Sequence, residues 1–160
     1  MKGINLKVEK GELVSLMGPS GCGKSTLLNI IGGLLEADSG KINLGSFEYG
    51  TKSPNKVVDV RRKGVGWIFQ DFHLVERLTA LDNVIFSLEL SGVSTAEAET
   101  RARNALERVG LGDRMNFIPD QLSGGQQQRV AVARAISGSC LLYTSPSPRD
   151  RTRSRMPSSA

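Results

Sequence analysis

The chain has 160 residues, of which 39% are hydrophobic and 23% charged, with a formal net charge of +5. That make-up fits one soluble domain with a core of its own, and it excludes a membrane span of ~18 apolar residues and a basic-then-apolar signal peptide. Arg149, Arg151, Arg153 and Arg155 against Asp150 carry +3 of the charge, so residues 1–139 hold a dispersed +2 that argues against a nucleic-acid partner.

Glu12 to Met17 (ELVSLM) is a short apolar run stopped by Gly18-Pro19 and reads as a buried strand. A Gly-rich turn leads into a predicted helix from Lys24 to Ile31, ended by Gly32-Gly33. Lys41–Leu44 and Phe47–Tyr49 read as short strands around Gly45, and Val65–Phe69 (VGWIF) as another, ending at Gln70. Asp82–Leu90 is expected to be helical. Thr95 can cap a further helix whose Ala102, Leu106 and Val109 share a face, with Gly110 as its stop. Gly124–Ile136 is the last predicted helix, with Val130, Ala133 and Ile136 on one side. Strands alternating with helices predict an α/β domain. Cys22 and Cys140 are spaced neither for a disulfide framework nor for a CxxC metal site.

Two motifs carry chemistry. Gly18, Pro19, Ser20, Gly21, Cys22, Gly23, Lys24 and Ser25, with Thr26 next, fit GxxxxGK[ST]. Glycines let successive N–H groups turn inward on phosphate oxygens, and the following helix adds the positive end of its dipole. Lys24 supplies a mobile charge for the β/γ-phosphates and Ser25 a hydroxyl for Mg²⁺. The motif lies between a predicted strand and a predicted helix, the context it requires, so a nucleoside triphosphate is the expected ligand. The second motif is Leu122, Ser123, Gly124, Gly125 and Gln126. Ser123 stands at the cap position of an amphipathic helix opened by two glycines, a second anion-ready helix start.

Together, the P-loop and LSGGQ in this order resemble the ATP-binding-cassette family, over residues 1–139. Gln70, after the VGWIF strand, resembles the family's Q-loop glutamine. The resemblance implies an α/β P-loop NTPase core with an antiparallel β portion and a helical insertion near residues 70–120. It implies ATP and Mg²⁺ as cofactors, with Ser25 and Gln70 on the metal. It implies a second nucleotide-binding domain, identical or not, whose ATP meets Ser123, Gly124 and Gly125. It implies a membrane permease facing roughly Asp71 to Leu90, hence a cytoplasmic location at the inner face of the plasma membrane. RRKGVGWIFQDFHLVERLTALDNV and DQLSGGQQQRVAVARA are most similar to the lipoprotein-release and macrolide-export branch. A regulatory ATPase of the cell-division type is the alternative. His73 and Trp67 are expected to be a surface or packing residue and a core residue, respectively.

The ends depart from the family. No aromatic residue that could stack on adenine precedes Gly18. The Asp–Glu pair that the family uses for Mg²⁺ and the attacking water falls, by spacing from Ser123, at Pro146 and Ser147, which can neither bind a cation nor take a proton. Residues 140–160 turn abruptly to Ser, Pro and Arg, with no helical or strand periodicity beyond Leu141-Leu142-Tyr143, the composition of a disordered tail. CLLYTSPSPRD and SRMPSSA resemble translated stretches of a sequencing adapter. The expectation is therefore a partial ATPase domain over 1–139, deficient in hydrolysis and poorly folding, followed by a non-native tail, a fragment without function of its own.

Overall fold

The computed structural model describes residues 3–138, 140 and 142–144. Helix α1 (Lys24–Ile31) leads into a hairpin of β1 (Lys41–Leu44) and β2 (Phe47–Gly50). Strand β3 (Val65–Trp67) precedes three helices, α2 (Ala80–Leu90), α3 (Thr95–Arg108) and α4 (Gly124–Ser137), and β4 (Leu142–Thr144) closes the order. The hairpin pairs Lys41 with Gly50 and Leu44 with Phe47 in antiparallel register. Gly45 at its tip has φ 57°, a turn conformation open to glycine. Strands β3 and β4 run parallel, Val65 opposite Leu142 and Trp67 opposite Thr144.

The apolar residues gather in two cores. The larger lies among α2, α3 and α4, with Val84, Leu106, Leu111 and Val130 wholly buried. The expected Ala102 and Leu106 face of α3 and the Val130 and Ala133 face of α4 meet here, with Val109 and Ile136 packed at its edge. The smaller core joins Tyr49, Val57, Val60 and Val65, with Trp67 and Leu142 packed against it. An incomplete α/β domain results, with a small antiparallel sheet, as the sequence predicts.

Four expectations need correction. Glu12–Met17 forms no strand, and Leu13 and Met17 are 97% and 88% exposed. A strand holds only with a ladder partner for its N–H and C=O groups, and among the described residues none pairs with this segment. The cap of α3 is Ser94 rather than Thr95, whose hydroxyl instead donates to Glu89 Oε1 at 2.7 Å. Helix α2 begins before Asp82, because Thr79 Oγ1 accepts from the N–H of Asp82 at 3.1 Å and donates to its carboxylate at 2.6 Å. Finally, Leu142–Thr144 is a strand, although it lies in the stretch whose composition reads as disordered. Its apolar and β-branched residues suit the ladder that β3 offers. Residues 145–160, including Pro146 and Ser147, lie outside the described residues.

Candidate functional site

The P-loop is built on the smaller core. Gly21 and Gly23 take φ 81° and 94°, and Gly23 leads into α1 with no side chain capping the first turn. Its N–H groups are thereby left for an outside acceptor. Lys24 folds back over its own loop, donating to the carbonyls of Gly18 at 2.9 Å and Pro19 at 3.1 Å, with Cys22 Sγ 3.7 Å away. A phosphate would replace those carbonyls with a charged partner. Ser25 and Thr26 are exposed on the same first turn. The far end of α1 is fixed by the Tyr49 hydroxyl, which donates to the carbonyl of Ile31, and by Gly32 and Gly33, seated on Trp67 and Val57. The residues present thus fit a phosphate-bearing ligand: left-handed glycines, an uncapped helix start and a lysine that, among the described residues, is held only by its own loop.

The LSGGQ segment is built on the larger core. Leu122 is buried and anchors it. Ser123 Oγ accepts from the N–H of Gln126 at 3.3 Å, and Gln126 Oε1 accepts from the N–H of Ser123 at 2.8 Å, a reciprocal capping box. Gln127 braces the approach by donating to the carbonyls of Pro119 and Leu122. Gly124 and Gly125 are exposed, and a Cβ on either would meet nothing within 4 Å. The hydrogen bonds of each motif close within its own neighbourhood. The fold places the P-loop on one core and LSGGQ on the other, and does not bring them together.

Gln70 is exposed just beyond β3. The Phe69 ring stacks on Trp67, with centroids 5.6 Å apart, and meets the exposed His73 ring at 4.7 Å. Trp67 packs on the smaller core and His73 lies at the surface, as expected. Trp67 Nε1 is buried with no hydrogen-bond partner among the described residues. A cavity of about 620 Å³ opens beside this stack, with Arg61, Arg62, Lys63 and Arg101 among its lining and no carboxylate among the described residues there.

Two residues that the sequence reading did not single out organise this region. Arg134 of α4 donates to the carbonyls of Phe72 at 2.6 Å and His73 at 2.7 Å, and burial draws its pKa below the ordinary arginine value. Asn83 of α2, 3% exposed, accepts from the N–H of Val75 and donates to the carbonyls of Val75, Leu78 and Thr79. The available signal was positional. Arg134 lies one turn after Val130 and Asn83 one turn after Ala80, each a polar residue set into a buried stripe.

Residues 1–144 match the family model described as ABC transporter. The chain is 51% identical over 137 residues to an uncharacterised ABC transporter ATP-binding protein of Methanocaldococcus jannaschii, covering 86% of this chain and 61% of that protein. It is 47% identical over 136 residues to the uncharacterised ABC transporter ATP-binding protein YvrO of Bacillus subtilis, covering 85% and 59%. Among solved structures it resembles the ATP-binding cassette MJ0796, described as a dimeric post-hydrolysis state bound to ADP and Pi. The TM-score is 0.77 at 40% identity, over 88% of this chain and 62% of that one. The chain spans about three fifths of the length of these relatives. On its two motifs, its fold and these likenesses, the chain belongs to the ABC transporter ATP-binding family.

Proposed function

We propose that this chain is part of the ATPase subunit of a membrane transporter of the export or lipoprotein-release type, coupling ATP binding and hydrolysis to a permease. Gly18–Thr26 hold the phosphates, with Ser25 and Gln70 on Mg²⁺. Leu122–Gln126 meet the ATP of a second nucleotide-binding domain. One observation carries this reading: Gly124 and Gly125 stand at a capped helix start with open space around them. Nothing among the described residues requires glycine at either position, whereas close approach by a partner's phosphate does. The dimeric state of the MJ0796 cassette supports a second domain. The basic and apolar cavity beside Asp71–Leu90 supports a protein partner there; with a permease as that partner, the subunit would work at the inner face of the membrane.

In this reading residues 1–139 are the cassette portion and 140–160 are foreign to it, so the chain binds ATP but hydrolyses it poorly. The test compares this chain with one whose segment after Ser139 is replaced by an apolar strand ending in Asp–Glu. Mg-ATP binding by both and hydrolysis by the second alone is the expected pattern. Lys24→Ala should abolish binding, while Gly125→Val should spare binding and abolish ATP-dependent dimerisation. Undiminished hydrolysis by the present chain, or dimerisation by Gly125→Val, would sink the corresponding part of the proposal.

A further inference from the structure

Gln70 is followed by a turn that its own residues do not favour. Phe72 and His73 have φ 59° and 46°, both in the left-handed region. Histidine enters this region more readily than most residues, but a bulky residue such as Phe72 rarely does, because Cβ crowds the neighbouring carbonyl. The N–H of His73 closes on the carbonyl of Asp71 at 2.6 Å, a three-residue turn that is strained when its central φ is positive. Such geometry persists only where the surroundings over-determine it.

The carbonyls of the two left-handed residues are both taken by one side chain, the guanidinium of Arg134. A planar fork delivers two N–H groups to two neighbouring acceptors, which an ammonium cannot do with the same geometry. The same helix, α4, is capped by Ser123, about three turns earlier. One rigid element therefore presents the LSGGQ start at one end and grips the Gln70 turn towards the other.

We propose that Arg134 is a positioning residue, which holds the strained turn and so fixes Gln70 relative to α4. The inference rests on the reading of Gln70 as a Mg²⁺ and water ligand, and adds the residue that sets where that ligand stands. Trp67, the only tryptophan, reports on the turn through its stack with Phe69, which in turn meets His73.

The test uses the full-length protein that carries this segment. Without nucleotide, Arg134→Gln should speed amide exchange over residues 69–75 by about tenfold or more and shift Trp67 emission. Arg129→Gln, on the same helix, should leave that exchange unchanged. With Mg-ATP, kcat should fall about ten- to a hundredfold, with KM for ATP within about twofold. Phe72→Gly, which adopts the left-handed region freely, should restore part of kcat in the Arg134→Gln background. If Arg134→Gln does not fold, Arg134→Lys keeps the charge and loses the fork, and should show the same signs in weaker form. Unchanged exchange and kcat would overturn the proposal, as would a joint loss of kcat, KM and thermal stability that Phe72→Gly does not relieve. An unsubstituted protein that neither binds nor hydrolyses ATP overturns the ATPase reading and this inference with it; an active one with unchanged kcat in Arg134→Gln overturns this inference alone.

Discussion

Gly32 and Trp67 are fitted together with no room for another atom: a Cβ on Gly32 would stand 1.8 Å from Cζ2 of Trp67 and 2.5 Å from Cη2. The φ of Gly32 is −79°, so backbone conformation does not demand glycine here. The demand is steric, and it fixes the end of the P-loop helix against the β3 strand. Gly32→Ala is expected to cost about 1–3 kcal/mol or more through overpacking. Trimming the indole in a Gly32→Ala/Trp67→Val pair should recover part of that cost, because the two changes share one contact. Denaturant melts of the single and double variants measure it. Strict additivity would show that the contact does not limit stability.

Asn83 is the second tight point. Its buried amide serves one N–H and three carbonyls of the segment from Val75 to Thr79, at 2.8–3.1 Å. Removing it takes the partner from the N–H of Val75 and the carbonyl of Leu78, at about 1–3 kcal/mol each where no water reaches them, while the carbonyls of Val75 and Thr79 keep the N–H groups of Leu78 and of residue 83 itself. Asn83→Ala should therefore destabilise by several times a surface substitution. Asn83→Asp should be worse, since an ionised carboxylate has no hydrogen to donate to three carbonyls. The difference should narrow at acid pH, where the carboxyl is protonated and recovers one donor. Equal melts for the two variants at pH 7 would refute this account.

The legibility of these features in the sequence followed their range. The P-loop and LSGGQ are local motifs, and α1, the hairpin and the three long helices carry their own stops and periodicity, so these elements were readable, although the cap of α3 and the start of α2 were not placed correctly. The strand expected at Glu12–Met17 failed because an apolar run reports an inclination to be buried, whereas a strand exists only with its neighbour. Leu142–Thr144 shows the converse, a strand in a segment whose overall composition hides three suitable residues beside β3. Arg134 and Asn83 escaped notice because their partners are backbone carbonyls, which no side-chain pattern displays. The link from Arg134 to Phe72 spans 62 residues, beyond the reach of any periodicity.

Ser123 offers a test that separates stability from function. Its hydroxyl caps α4 through the N–H of Gln126. Ser123→Ala should cost about 1 kcal/mol, whereas Ser123→Asp keeps an oxygen acceptor at the cap and should restore stability. The same Asp adds a negative charge where the proposed function places a partner's phosphate, so it should weaken ATP-dependent dimerisation more than Ser123→Ala does. Melting curves with dimerisation assays at fixed Mg-ATP decide the matter. Stability and dimerisation falling in the same order would leave Ser123 with the cap alone.

Tyr49 sets a limit on alkaline stability. It is 5% exposed in the smaller core, its hydroxyl donates to the carbonyl of Ile31, and burial pushes its pKa up to about 12. The folded state keeps the phenol proton to higher pH than the unfolded chain, which releases it near 10. Between pH 10 and about 12 the folded state therefore binds more protons, and stability falls as pH rises; below 10 the contribution is fully present. Two pKa units correspond to roughly 2–3 kcal/mol across that window. Tyr49→Phe removes both the titration and the hydrogen bond. At pH 8 it should be less stable by about 1 kcal/mol, yet it should lose less on the way to pH 12, so the two curves of unfolding free energy against pH should converge or cross. Parallel curves would mean that the phenol ionises as readily in the folded state as in the unfolded one, and that its place beneath α1 contributes no more than a hydrogen bond.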